Sequence, residues 1–250
     1  QGVAQSLVGT FLGAHAIDPT QEGFIDRMIE ETLPAVAAEF PGITCDAYCE
    51  TGAWSVDEVT RLFERATELG CPLRIHVDQF NSLGMLPRAV DMGAVSADHL
   101  EASTVEDLRT LAASKTVAVL LPASGFCLDG RYADGRSLID MGAAVAIATN
   151  FNPGSAPSPS MAFSIALAAR RLRLTPAEAI TATTHNAACV LGMQDSVGSL
   201  DVGMRADIQL LDCEDERELA WQVAGGGPLL VAIGGDIVHL LSESVEEGES

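Results

Sequence analysis

The sequence contains few basic residues and almost no lysine. Lysine and arginine together number 14 against 35 aspartate and glutamate residues, which gives a formal net charge of −21. The single lysine is Lys115. A surface this acidic repels the phosphates of nucleic acids and of anionic membranes, so we expect neither as a partner. The excess charge is best explained as a solvated acidic surface, with adaptation to high salt as the weaker alternative.

Long hydrophobic runs and an N-terminal targeting pattern are also missing. No stretch of about 18 consecutive apolar residues occurs, which argues against a membrane span. Residues 1–6 lack the basic region of a secretory signal. The sequence also lacks an initiating methionine, so we expect the chain to start inside a longer natural protein. With 250 residues, 48% of them hydrophobic, it can form one large packed domain or two smaller ones.

The six cysteines form no Cys-x-x-Cys pair and show no spacing typical of a disulfide framework. Several lie within apolar runs, where a thiol packs as a small hydrophobic group. This pattern predicts reduced cysteines and a cytoplasmic protein.

Short apolar segments alternate with segments of helical periodicity along most of the chain. The predicted strands cover residues 6–16, 43–50, 73–80, 94–100, 116–121 and 144–149. The predicted helices cover residues 22–39, 55–69, 83–92, 104–114, 135–141, 160–171 and 176–191. This alternation implies an α/β fold with a parallel sheet, either a (β/α)₈ barrel lacking two units or a doubly wound sheet. No Gly-x-Gly-x-x-Gly follows the first strand, which disfavours a dinucleotide-binding fold.

The pattern changes after residue 191. Residues 198–212 predict a tight turn and a short strand, and a hairpin is predicted over 229–241 around Gly234 and Gly235. We therefore expect a barrel portion over 1–195, strands of a β-sandwich over 196–241, and an acidic, disordered tail over 242–250.

Three of the five histidines fall at the ends of predicted strands: His15, His76 and His99. Because the carboxyl ends of parallel strands meet at one site, these side chains are expected to converge. Imidazole is a usual ligand of zinc or iron and a candidate acid or base near neutral pH. A lone histidine is more often structural, and we interpret His185 and His239 in that way.

A fourth strand end adds polar groups to the same predicted site. Asn150 follows the apolar run 145–148, and the chain then breaks at Pro153 and Gly154. The asparagine is placed to face a site, and the glycine lets the backbone approach a ligand closely. Glu50 also ends a predicted strand, and we expect it to be either a site carboxylate or a residue of the rim.

Together these motifs resemble the imidazolonepropionases, amidohydrolase-superfamily enzymes of histidine degradation. The resemblance runs in chain order over nearly the whole sequence. Its clearest segments are Thr10-Phe-Leu-Gly-Ala-His15, Ile75-His-Val-Asp-Gln-Phe80, Ser96-Ala-Asp-His-Leu-Glu101, Ala148-Thr-Asn-Phe-Asn-Pro-Gly-Ser155 and Gly203-Met-Arg-Ala-Asp207.

The resemblance implies a partial (β/α)₈ barrel of the metal-dependent hydrolase type, with about six βα units, followed by a small β-sandwich element. The implied reaction is hydrolysis of the ring carbon–nitrogen bond of 4-imidazolone-5-propanoate to N-formimino-L-glutamate by a metal-activated water. One zinc or iron ion is the implied cofactor, and the small-molecule substrate is the implied partner. A homodimer is left open.

Residue roles follow from the same resemblance. His76 matches a metal-binding histidine, and Asn150 stands where the family has a metal-binding aspartate. His99 matches the histidine that contacts substrate and stabilises the developing oxyanion. Gln79 stands where the family has a glutamate that contacts both substrate and attacking water. The remaining substrate-binding positions are His15, Asn152, Gly154 and Ser155.

Three departures from the family pattern are visible. The chain has no His-x-His pair, so we expect its barrel to begin at the third strand. Asn150 and Gln79 carry amides in place of carboxylates, which leaves the metal, His99 and Asp78 to activate water. Asp78 lies two residues from His76 and should therefore share its face of the strand. Two alternatives stay open: a related cyclic-amide hydrolase or deaminase, and a non-catalytic truncated relative.

Overall fold

A computed structural model of the protein describes residues 5–223, 225 and 227–241. The acidic tail predicted over 242–250 lies outside the described residues. None of the helices in the described ranges is long and apolar enough to cross a membrane.

Six parallel strands form the main sheet, and each strand lies beside the one that precedes it in the chain. A doubly wound sheet reverses its strand order at a switch point, whereas a barrel adds its strands in sequence. The observed order therefore confirms the partial barrel and excludes the doubly wound alternative. The strands are β1 (Thr10–Ala14), β2 (Thr44–Cys49), β3 (Leu73–Val77), β4 (Ser96–His99), β5 (Val117–Leu120) and β6 (Val145–Ile147).

Helices that connect these strands pack against one face of the sheet, and further helices follow β6. They are α1 (Phe24–Arg27), a π-helical turn (Met28–Thr32), α2 (Leu33–Glu39), α3 (Val56–Glu68), α4 (Met85–Asp91), α5 (Val105–Ala112), α6 (Pro122–Cys127), α7 (Gly135–Asp140), α8 (Met161–Arg171), α9 (Pro176–Thr183), α10 (His185–Val190) and α11 (Arg217–Trp221). Helices α6 and α11 were not predicted from the sequence.

Two predicted helices are interrupted, each for a local reason. The segment predicted over 22–39 widens into the π-helical turn just before Pro34, whose ring and missing N–H cannot be accommodated by regular helical geometry. The segment predicted over 176–191 breaks at Thr184, between α9 and α10. The hydroxyls of Thr183 and Thr184 donate to carbonyls of the preceding turn, a pattern that bends helices.

The second face of the sheet is divided into a polar half and an apolar half. Parallel register aligns Tyr48, His76, Asp98, Val119 and Ala146 in one row across β2 to β6, so these side chains project to the same side. The β5 and β6 members belong to a small buried apolar cluster. The polar half, on β2 to β4, leads up to the strand ends, where the predicted site residues lie.

A small antiparallel sheet follows the barrel portion in the chain. Its strands are β7 (Ile208–Leu210), β8 (Leu230–Ile233) and β9 (Asp236–Leu240), paired in that order. Gly234 and Gly235 form the turn between β8 and β9 with positive φ angles of 61° and 90°, which glycine adopts without a steric penalty. The predicted hairpin is thus present, while the domain boundary at residue 195 stays a prediction.

A partly exposed ion pair joins the helices that support β6. The carboxylate of Glu178 in α9 accepts hydrogen bonds from both terminal nitrogens of Arg136 in α7, at 2.9 and 3.2 Å. It also accepts one from the backbone N–H of Thr175 at 2.7 Å. These hydrogen bonds, above all those from Arg136, lower the pKa of Glu178 to about 2. The carboxylate therefore joins two helices and caps one of them.

We predict that Glu178→Gln lowers the free energy of unfolding at pH 7 by about 1 kcal/mol, because the amide keeps the shape but loses the charge. The folded-state pKa lies below the ordinary value of 4.5. The contribution is therefore complete above pH 4.5 and disappears as the pH falls towards 2. Denaturant unfolding at pH 7 and at pH 3 measures this difference.

The matched control for this prediction is Glu106→Gln. Glu106 pairs with Arg109 on α5, but its side chain is 80% exposed, so solvent weakens the pair. The control should change stability by less than about 0.3 kcal/mol at either pH. Equal losses in both variants, or a loss for Glu178→Gln that does not shrink with acid, would contradict the prediction.

Candidate active site

A cleft with a volume of about 510 Å³ opens at the carboxyl ends of the strands. Seven of the eight predicted site residues line it, and Gly154 lies in the turn beside it. Hydrophobic side chains such as Leu12, Phe80 and Phe151 share the wall. The predicted residues that line the cleft are His15, His76, Gln79, His99, Asn150, Asn152 and Ser155.

The three strand-end histidines stand in a row along β1, β3 and β4. The ring centroids of His15 and His76 are 4.8 Å apart, and those of His76 and His99 are 5.4 Å apart. His99 is fully buried, whereas His15 and His76 are partly exposed to the cleft. The convergence expected from their positions at strand ends is therefore present.

A buried carboxylate that was not predicted as a site residue lies beside two of these rings. Asp46 Oδ1 lies 3.1 Å from His76 Nδ1 and 3.5 Å from His15 Nε2. Burial alone would raise the pKa of Asp46, but the two histidines more than offset this and hold the pKa well below its usual range. Burial likewise opposes protonation of His76, but the charge of Asp46 outweighs it and raises the pKa of His76 to about 9.

The cluster of His15, Asp46 and His76 fits a divalent metal ion. One ligand atom from each residue lies within 4.8 Å of the others. Two imidazoles and a carboxylate are donors that zinc and iron both accept. Asn150 lines the same cleft, and its amide oxygen is a weaker, uncharged donor. His76 thus belongs both to this cluster and to the metal pair expected from the sequence.

His99 has its own carboxylate partner. Its Nδ1 lies 3.2 Å from Glu101 Oε1, and both side chains are almost completely buried. The backbone turns sharply here, because His99 and Leu100 have positive φ angles of 84° and 72°. Such conformations are strained for residues with a Cβ and concentrate at functional sites.

Gln79 is held by a direct hydrogen bond from Tyr48, and the loop that follows it is held by Glu50. The hydroxyl of Tyr48 donates to Gln79 Oε1 at 2.9 Å. Glu50 holds the loop that follows, because its carboxylate accepts the backbone N–H groups of Phe80 and Asn81 at 2.8 and 3.0 Å. Glu50 is buried and does not line the cleft, so it is a structural residue of the loop rather than a group of the site.

Asp78 does not share the face of His76, contrary to the expectation from strand alternation. β3 ends at Val77, and Asp78 adopts a left-handed conformation with φ 55°. Its carboxylate is buried and accepts a hydrogen bond from the Ser103 hydroxyl at 2.7 Å, and burial raises its pKa to about 6. The residue secures the start of the loop and is absent from the cleft lining.

The loop after β6 is organised by its own side chains. Asn152 Oδ1 accepts the backbone N–H groups of Gly154 and Ser155, both at 2.8 Å. The amide of Asn152 donates to Asn150 O at 2.6 Å and to Ser155 Oγ at 2.9 Å. A Cβ at Gly154 would lie 3.3 Å from Asn152 Oδ1, which is a tight contact. The loop is therefore preorganised before any ligand binds.

Comparison with known proteins identifies the family. The amidohydrolase family model matches residues 20–238. Imidazolonepropionase from Herpetosiphon aurantiacus is 44% identical over 239 residues, which cover 91% of this chain and 56% of that protein. The enzyme from Symbiobacterium thermophilum is 42% identical, with 88% and 53% covered. An imidazolonepropionase from Streptococcus gordonii is 38% identical, with 90% and 77% covered.

Solved structures show the same fold at low identity. A zinc-bound adenosine deaminase from Xanthomonas campestris superimposes with a TM-score of 0.73 at 17% identity, over 93% of this chain and 61% of that one. An amidohydrolase from a Sargasso Sea sample gives 0.70 at 20% identity, over 93% and 61%. The chain spans little more than half the length of most of the curated relatives described above. The chain belongs to the amidohydrolase family and, within it, to the imidazolonepropionases.

Proposed function

We propose that this chain carries active-site residues of an enzyme that hydrolyses the ring carbon–nitrogen bond of 4-imidazolone-5-propanoate to N-formimino-L-glutamate. The observation that supports it most strongly is the convergence of His15, His76 and His99 on one cleft, opposite the loop from Asn150 to Ser155. Curated imidazolonepropionases match most of the chain.

One zinc or iron ion is part of the proposal. His76 and Asn150 would hold it, with His15 and Asp46 as further donors within reach. Such an ion polarises a carbonyl group and lowers the pKa of water to about 7. Because Asn150 brings no negative charge, the buried carboxylate of Asp46 is the nearest described compensation for the charge of a cation at His76.

His99 and Gln79 act on the substrate itself. His99 is buried, so a hydrogen bond from its ring to a developing oxyanion acts in a medium of low dielectric constant and is strong. Tyr48 occupies the oxygen of the Gln79 amide, which leaves the NH₂ group for the cleft. Gln79 therefore donates where a glutamate would accept a proton, and proton transfer to the leaving nitrogen falls to His99.

The loop after β6 is assigned to the amide and carboxylate portion of the substrate. Asn152, Gly154 and Ser155 present small polar groups that are already oriented by hydrogen bonds within the loop. Little conformational entropy is then lost on binding, because the loop does not reorganise. A cytoplasmic site of action fits the six free cysteines. A homodimer stays a prediction.

A second candidate function is hydrolysis of another cyclic amide, or deamination of an aminated heterocycle. The amides at Gln79 and Asn150 favour it, since they change the hydrogen-bonding character of two positions that face the cleft. A non-catalytic relative is the third candidate. Rates on imidazolone-propanoate, other cyclic amides and aminated heterocycles separate the first two, and absence of turnover on all of them supports the third.

Metal dependence provides the first test of the proposed reaction. The full-length protein, loaded with zinc or with iron, should turn over imidazolone-propanoate at roughly 1–1,000 s⁻¹. Removal of the metal by a chelator should abolish turnover, and His76→Ala should lower kcat/KM at least about 100-fold. Loss of substrate absorbance measures the rate.

His239→Ala is the matched control for that test, because His239 is an exposed histidine of β9. It should leave both metal content and turnover unchanged. Undetectable turnover by a protein whose metal content is confirmed by elemental analysis would refute the proposed reaction.

The role of Asn150 gives a separate prediction. Asn150→Asp should tighten binding of zinc about 10-fold, because a carboxylate adds both charge and a stronger donor, and Asn150→Ala should weaken it. Competition with a chromophoric chelator measures the affinity. The control Gln209→Glu adds the same charge on exposed β7, outside the cleft. Equal effects of Asn150→Asp and the control would rule out Asn150 as a ligand.

A further inference from the structure

Glu101 is a buried carboxylate with a single hydrogen-bonding partner in the part of the chain that the structure describes. Its Oε1 lies 3.2 Å from His99 Nδ1, while its Oε2 is buried and has no partner among the described residues. Glu50, by contrast, accepts four hydrogen bonds and secures a loop. Withdrawing a carboxylate from water is costly unless it is paired. The hydrogen-bonding contact of Glu101 is with the ring of His99, so Glu101 is not a residue that secures a loop as Glu50 does.

The backbone between these two residues is shaped to bring them together. His99 and Leu100 both adopt left-handed conformations, which are strained for residues with a Cβ. Neighbouring hydrogen bonds hold the strained turn: Leu100 N–H donates to Val77 O at 3.2 Å, and Ala102 N–H donates to Asp78 O at 2.7 Å. The turn thus keeps the Glu101 carboxylate against a ring only two residues away.

We propose that Glu101 is the positioning residue that sets the protonation pattern of His99. With the Nδ1 proton donated to Glu101, Nε2 is the ring nitrogen available to the cleft that His99 lines. In the proposed reaction Nε2 takes a proton from the attacking water and passes it to the leaving nitrogen, and the Glu101 carboxylate offsets the positive charge that this transfer places on the ring. While it carries that proton, Nε2 donates a hydrogen bond to the oxygen on which negative charge develops. The chemical consequence rests on the proposed function, whereas the contact itself does not.

The neighbouring histidine shows the same arrangement. His76 Nδ1 lies 3.1 Å from Asp46 Oδ1, just as His99 Nδ1 lies beside Glu101. The two rings are in contact, with centroids 5.4 Å apart. Each of these two rings therefore has a carboxylate at its Nδ1, and Asp46 is shared with His15 whereas Glu101 contacts His99 alone among the described histidines.

Histidine ring ¹⁵N resonances at a single pH test the proposal directly. In the wild-type full chain, His99, assigned by loss of its signals in His99→Gln, should show a protonated Nδ1. Glu101→Ala should remove this preference, while Glu101→Gln should keep it, because the amide oxygen still accepts the hydrogen bond. The His76 resonances provide an internal check that the fold is intact.

Steady-state kinetics supply the second readout. Glu101→Gln should lower kcat about 100-fold and change KM less than about 3-fold, because the amide cannot stabilise the imidazolium formed during turnover. Glu101→Asp should recover part of kcat. Glu106→Gln removes an exposed carboxylate from the same segment and should change neither quantity.

The two readouts separate this proposal from the proposed function. An unchanged His99 spectrum in Glu101→Ala, with the His76 signals intact, would overturn the positioning role whatever the activity. A changed spectrum in a protein that never turns over imidazolone-propanoate would support the role of Glu101 while refuting the proposed reaction. Equal kcat for Glu101→Gln and wild type in an active enzyme would also overturn it.

Discussion

The parallel register of β1 to β4 is the constraint on which the site depends. It aligns Tyr48, His76 and Asp98 in one row and brings the strand ends that carry His15 and His99 to the same level. A shift of one residue in β3 would turn His76 into the helix-packed core and Ile75 into the cleft. Burial of Ile75 and Val77 against the helices therefore fixes the position of the His76 ring as firmly as it fixes the core.

Once the rings are aligned, buried charge determines what each can do. Asp46 and Glu101 lie beside the Nδ1 atoms of two adjacent imidazoles, so each of these neighbouring rings is held by a different buried carboxylate. The strained backbone at Asp78, His99 and Asn150 lies where strands end and loops begin. At these points the backbone departs from regular strand geometry. The departure places the His99 and Asn150 side chains in the cleft wall and the Asp78 carboxylate on Ser103, so the strained residues lie around the cleft.

Much of the fold follows from the sequence, because hydrophobic periodicity specifies the strands and helices and local capping residues mark their ends. The convergence of the histidines could also be predicted, because the ends of the strands can be located from the sequence alone. Asp46 and Glu101 were not predicted as site residues because their contacts are not visible in the sequence. Asp46 contacts His76 across the sheet, and Glu101 contacts His99 across a left-handed turn. Asp78 was misplaced for the same reason: alternation predicts a shared face only while the strand continues.

Gln79 and Asn150 carry amides where the family resemblance implies carboxylates. An amide has nearly the shape of a carboxylate but no charge, so the difference lies in the electrostatics of the cleft. Asn150 remains within a loop whose hydrogen bonds are satisfied by Asn152 and Ser155, and Gln79 keeps its contact with Tyr48. A glutamate at residue 79 would accept the same Tyr48 hydrogen bond, so the loop does not require the amide. What the amides remove is negative charge at two positions of the cleft wall, so the nearest buried carboxylates are those of the two histidine–carboxylate pairs, Asp46 beside His76 and Glu101 beside His99.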